Sequence, residues 1–112
     1  MELDFASRKL RRQMESEKEL IKAYGQLARA IQRRLGVLAR AASLADVPAV
    51  PPERCHLLTG RFAGCYAVDV SGNWRLIFRP DHDPVPQKES GGVDLTKVTA
   101  IVIEGVEDYH GK

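Results

Sequence analysis

At 112 residues with a formal net charge of +2, this chain has room for one modest core and is expected to form a single domain over 1–112. Its 44% hydrophobic and 29% charged residues suit a soluble globular protein, and no apolar run approaches the ~20 residues needed to cross a bilayer. The acidic start Met1-Glu2-Leu3-Asp4-Phe5 does not read as a secretory signal, so a cytoplasmic location is expected, with Cys55 and Cys65 reduced.

The charge is unevenly spread. Residues 1–61 carry 12 Lys and Arg against 7 Asp and Glu, whereas residues 62–112 carry 5 against 8. A basic half of this kind fits a phosphate backbone or an acidic protein partner, and equally a solvated helix face.

In chain order, Glu2-Leu3-Asp4-Phe5 alternates polar and apolar residues, which predicts a short half-buried strand. Ser7 is placed to cap a first helix through about Met14, with Leu10 and Met14 on one face. Ser16-Glu17-Lys18-Glu19 has the spacing of a capping box and opens a second helix. Leu20, Tyr24, Leu27, Ile31, Leu35, Leu38 and Ala42 recur at three and four residues, so this helix is expected to run to about Ala42 on a buried stripe. Lys22, Gln26, Arg29, Arg33 and Arg40 fall on its polar side. Gly25 and Gly36 each weaken it by roughly 1 kcal/mol relative to alanine, and are expected to mark close packing.

Val47-Pro48-Ala49-Val50-Pro51-Pro52 breaks the pattern, because proline lacks a donor and restricts φ. Three strands are predicted beyond it. Phe62 to Val70 contains the alternation Tyr66-Ala67-Val68-Asp69-Val70, Ser71-Gly72 signals a tight turn, and Trp74 to Phe78 returns as the other arm of an antiparallel hairpin. Trp74, Leu76 and Phe78 share one face, with Trp74 as a core anchor, while Arg75 and Ile77 share the other. Arg79 to Asp94, with its prolines and paired glycines, reads as a flexible excursion. Within it Asp81-His82-Asp83 imitates a metal site without further ligands, so no metal or cofactor is expected. The run Val98 to about Val106 is the last strand, and the order describes an α+β protein with a mainly antiparallel sheet.

That strand delivers Glu107-Asp108-Tyr109-His110. Carboxylate, phenol and imidazole side by side offer a proton acceptor, a donor and a group that ordinarily titrates at about pH 6.5. The plainer reading is a polar tail, since order fades at chain ends. Cys55 beside His56 raises the alternative of a thiolate nucleophile, although catalytic Cys–His pairs are usually distant in sequence.

Three segments taken together resemble the HigB-type killer toxins of the RelE/ParE superfamily. They are Cys55-His56-Leu57-Leu58-Thr59-Gly60, Gly72-Asn73-Trp74-Arg75-Leu76-Ile77-Phe78, and Glu107-Asp108-Tyr109-His110. The resemblance implies two N-terminal helices on a small sheet and a ribosome-dependent, metal-independent mRNA endonuclease. It implies a cognate DNA-binding antitoxin as partner, with assembly into hetero-oligomers with it or into homo-oligomers. His56, Asp108, Tyr109 and His110 match family active-site positions, and Arg75 matches the motif arginine. Thr59 stands where several relatives carry a lysine, a charge that Arg61 is near enough to replace. Arg33 and Arg40 would add attraction for RNA.

Metal-free RNA cleavage needs a base for the 2′-hydroxyl, positive charge on the phosphorane and an acid for the 5′-oxygen; the residues leave base and acid unassigned among His56, Asp108 and His110. Two alternatives stand beside this reading: an inactive superfamily member that only binds antitoxin or nucleic acid, and a ParE-like gyrase poison.

Overall fold

The computed structural model describes residues 1–109. It is α+β, as the element order predicts. β1 (Glu2–Phe5) leads into α1 (Arg8–Met14), which Ser7 caps by accepting the Leu10 N–H at 3.1 Å. α2 (Glu17–Tyr24) begins at Ser16, whose hydroxyl accepts the Glu19 N–H at 3.2 Å.

The expected long helix is two helices. Gly25 ends α2 with φ at +55°, a conformation that L side chains rarely adopt, and a 3₁₀ turn over 25–27 leads into α3 (Ala28–Arg40). The break re-aims the chain, so that Leu20 of α2 and Ile31 and Leu38 of α3 are all at or below 2% exposed. Gly25 therefore terminates a helix rather than admitting a neighbour, because nothing lies within 4 Å of where its Cβ would stand.

After the proline segment come β2 (His56–Leu57), β3 (Tyr66–Ser71), β4 (Trp74–Pro80) and β5 (Ala100–Asp108). The five strands form one sheet in the order β1-β5-β4-β3-β2, parallel only between β1 and β5. β2 is a strand that the sequence pattern did not reveal: two residues long, it pairs His56 with Ala67 and Leu57 with Tyr66.

Strand alternation divides the sheet into two faces. Tyr66, Val68, Val70, Leu76, Phe78, Ile101 and Ile103 join the helices in the main core. Tyr66 and Phe78, paired across β3 and β4, stack with centroids 6.2 Å apart. Ala67 and Ile77 face the other way, in a smaller apolar cluster with Leu58 and Tyr109.

Two expectations need correction. Trp74 is 39% exposed and is not a core anchor; opposite Asp108 at the sheet's end, it stands outside the cluster that buries Leu76 and Phe78. Nor is 79–94 a loose excursion. β4 continues through Pro80, Arg79 forms an ion pair with Glu104 at 2.5 Å, and Gln87 bridges Val93. His82 Nε2 accepts the Thr99 N–H at 3.1 Å, so this histidine ties the loop to the start of β5.

A candidate active site on the open face

The face opposite α1, α2 and α3 carries most of the chemistry. Across β3, β4 and β5, Asp69 stands opposite Arg75 and Arg75 opposite Glu107; in the next row, Ala67, Ile77 and Gly105 align, with His56 beside Ala67. Side chains paired across strands share a face, so His56, Asp69, Arg75 and Glu107 all project to the same side.

His56 Nδ1 lies 2.6 Å from the Arg54 carbonyl oxygen. A carbonyl only accepts, so Nδ1 carries the hydrogen and Nε2 is left as the acceptor in the neutral ring. That tautomer suits a general base. Strand spacing and rise place His56 and Arg75 roughly 12 Å apart at their Cα atoms, a gap that a substrate strand would have to fill.

Arg75 is drawn inward, its side chain only 11% exposed. Nη1 donates to the carbonyls of Gly72 at 2.6 Å and Trp74 at 3.2 Å. Nε lies 3.0 Å from Asp69 Oδ1, an ion pair set off the angle of a hydrogen bond. Asp69 also accepts from Arg54 Nε at 2.6 Å, and this bond and the carboxylate's charge raise the Arg54 pKa.

At the far end of the row, Arg61 reaches Glu107 at 3.5 Å and lies over the Phe62 ring. Phe62 in turn meets Tyr109 edge to face, with centroids 5.8 Å apart. Tyr109 is 9% exposed; its N–H donates to the Asn73 carbonyl and its hydroxyl lies 3.5 Å from the Thr59 carbonyl. The segment carrying Thr59 and Arg61 is thus folded onto the phenol.

The structure brings His56, Arg61, Arg75 and Tyr109 to one face, but sets Asp108 apart. Asp108 pairs with Trp74 and has the opposite parity to Glu107 and Tyr109. His110 lies outside the described residues. Glu107, Asp69 and Arg54 share this face yet were not singled out as site residues. Period-two counting back from Tyr109 would have found Glu107, whereas Arg54 is placed only by the contact of β3 with the 53–55 segment.

Cys55 does not behave as an activated nucleophile. Burial pushes its thiol up to about 11, which leaves it protonated at neutral pH. Among the described residues, no three His, Cys, Asp or Glu side chains are grouped to hold a metal ion. No helix among them is long and apolar enough to cross a membrane.

Comparison with known families bears on these positions. The family model for RelE-like toxins of the type II toxin–antitoxin system HigB matches residues 3–87. The chain belongs to this toxin family. RelE-like toxins are in general endoribonucleases, and a type II system implies an antitoxin partner. The match takes in β1 through β4 and hence His56, Arg61 and Arg75, and ends before β5. No curated protein matches the chain.

Proposed function

We propose that this toxin is a ribosome-dependent, metal-independent mRNA endonuclease acting on the open face of its sheet. The observation that carries the reading is the placement of His56, Arg61, Arg75 and Tyr109 on one side of β2–β5, with His56 held as the Nδ1–H tautomer. Neutral His56 Nε2 accepts the 2′-hydroxyl proton as that oxygen attacks the adjacent phosphorus. Arg75 and Arg61 supply positive charge against the crowded phosphorane. His110 protonates the departing 5′-oxygen, and Tyr109 holds the 59–62 segment in place. Arg33 and Arg40, exposed on α3, add attraction for RNA.

The products would end in a 2′,3′-cyclic phosphate and a 5′-hydroxyl. A translating extract programmed with a defined mRNA tests this through the chemistry of the new ends. Replacing the nucleotide before the cut by its 2′-deoxy form should abolish cleavage. Ends carrying 5′-phosphate, or cuts indifferent to the 2′-deoxy substitution, would overturn the mechanism.

A second reading has one observation in its favour: Arg75 is already engaged with Asp69 and two carbonyls, as in a purely structural arginine. It describes a toxin-fold module that binds antitoxin without cutting. Unaltered mRNA in the same extract, with antitoxin binding intact, would select it.

A further inference from the structure

A second cationic site lies behind the sheet edge. Arg34 is in the middle of α3 and is only 8% exposed, rare burial for an arginine. Its Nε donates to the Asp69 carbonyl at 2.6 Å. That carbonyl is available because β2 pairs only with Tyr66 and Ala67, and the Asp69 N–H is taken by the Glu53 carbonyl at 2.8 Å. The two terminal nitrogens of Arg34 have no hydrogen bond or ion pair among the described residues, and neither is sealed from solvent. Arg34 lines a groove of about 540 Å³ between α3 and Pro52-Glu53, with Gln32, Arg33 and Arg40 along its wall.

Gly36 shapes this groove. A Cβ there would stand 3.0 Å from Arg40 Nη1, so the bare glycine lets the Arg40 guanidinium lie across the helix. Arg33, Arg34 and Arg40 thus line the groove together with one acidic residue, Glu53, which forms no ion pair with them among the described residues. An arginine fork held by Nε, with both Nη groups unfilled, is pre-organised for a planar or tetrahedral oxyanion, and little side-chain freedom is left to lose on binding.

The groove is also connected to the open face. Asp69 holds Arg34 through its carbonyl, and Arg54 and Arg75 through its carboxylate at 2.6 and 3.0 Å. Cationic groups therefore run from α3 around the edge of β3 to the start of β4. A polymer with a charge at every repeat can follow that path, whereas a single acidic side chain would fill the groove alone.

We propose that the Arg34 groove is a phosphate subsite, in which Arg34, Arg33 and Arg40 hold a backbone phosphate of the RNA strand whose cleaved bond lies on the open face. The identity of the strand rests on the endonuclease reading; the oxyanion chemistry of the groove does not.

The test is fluorescence anisotropy of the full chain with a labelled 2′-O-methyl RNA oligonucleotide, which lacks the attacking hydroxyl, over a series of salt concentrations. Arg33→Gln with Arg40→Gln removes two of the three charges on that phosphate and should weaken binding and flatten the logarithmic salt slope by up to roughly 0.7, the value for one phosphate contact on a single strand. Arg34→Lys keeps the charge but loses the fork, and should weaken binding several-fold with the slope unchanged. Inorganic phosphate should compete with the oligonucleotide more strongly than a polyglutamate peptide of equal charge does. Thermal melting checks that each variant is folded, and the double variant serves if Arg34→Lys is not.

Wild-type binding that the double variant reproduces in affinity and slope overturns the subsite and leaves the endonuclease reading intact. Stronger competition by polyglutamate also overturns it, in favour of an acidic protein segment. Groove-dependent RNA binding without any cut on ribosomes removes the endonuclease reading instead and leaves the phosphate site standing.

Discussion

Under the helices, Val68, Leu76, Phe78, Ile101 and Ile103 are at or below 1% exposed, and they pack as one cluster with α1, α2 and α3. On the opposite face, apolar packing shrinks to Leu58, Ala67, Ile77 and Tyr109, and the surrounding positions carry Asp69, Arg75, Arg79 and Glu107. The contrast teaches that one face supplies the cohesion which lets the other keep charged groups in fixed rows. Charges opposite each other on an exposed face contribute little stability themselves, typically 0–1 kcal/mol per pair. Their positions are set by hydrogen-bonded strands whose other side is buried.

If that division holds, substitutions on the two faces should fail in different ways. The largest effect belongs to the proton-transfer groups. His56→Gln and His110→Ala should each lower cleavage on ribosomes by about 10²–10⁴-fold, with antitoxin binding retained and melting close to wild type. Full activity in both variants would remove the open face as the active site.

Ile101→Ala is the converse. It is fully buried among the helices, and its truncation should cost about 2–5 kcal/mol, visible as a lower midpoint in chemical unfolding. Activity per folded molecule should be unchanged.

Tyr109 sharpens the comparison, because it is packed on the open face. Tyr109→Phe keeps the ring against Phe62 and removes only the hydroxyl, so it should cost no more than the roughly 0.5–1.5 kcal/mol of one hydrogen bond. Its effect on cleavage then reports the hydroxyl alone. A loss of stability as large as that of Ile101→Ala would place Tyr109 among the residues that hold the fold together.

The last expected effect is confined to alkaline pH and comes from Cys55. Burial raises its folded pKa to about 11, above that of a thiol in the unfolded chain at about 8.5. Between those values the unfolded state has lost the proton that the folded state keeps. The contribution of Cys55 to stability is therefore fully present below pH 8.5 and is lost as pH rises through about 11. Cys55→Ala should flatten that alkaline decline, and alkylation of Cys55 at pH 8 should be slow. Rapid alkylation at neutral pH would return the thiol to the list of nucleophiles.

Much of the fold was legible because it is written in local terms. Ser7 and Ser16 are caps whose partners lie three residues away, and Tyr66 to Phe78 is a hairpin whose turn and alternation are contiguous. Arg75 and Ile77 on the face away from Leu76 and Phe78 follow from period two. Gly25 was visible as a weak point, but its positive φ was not, so two helices read as one. Trp74 read as core because size and hydrophobicity are local properties, whereas its distance from the covering helices is not.

By itself, the sequence determined that the protein is α+β, where its first two helices start, which strands form the hairpin, and the motifs by which its toxin family was recognised. Tertiary structure alone decided the parallel seating of β1 on β5, the two-residue β2, and the convergence of Arg34, Arg54 and Arg75 on Asp69. It also decided that Glu107, and not Asp108, faces Arg75. Caps and alternation depend on neighbours a few residues away and leave a readable pattern. Contacts across 35 residues, such as Arg34 to Asp69, depend on where whole elements come to rest, and that is set by the packing of the complete core.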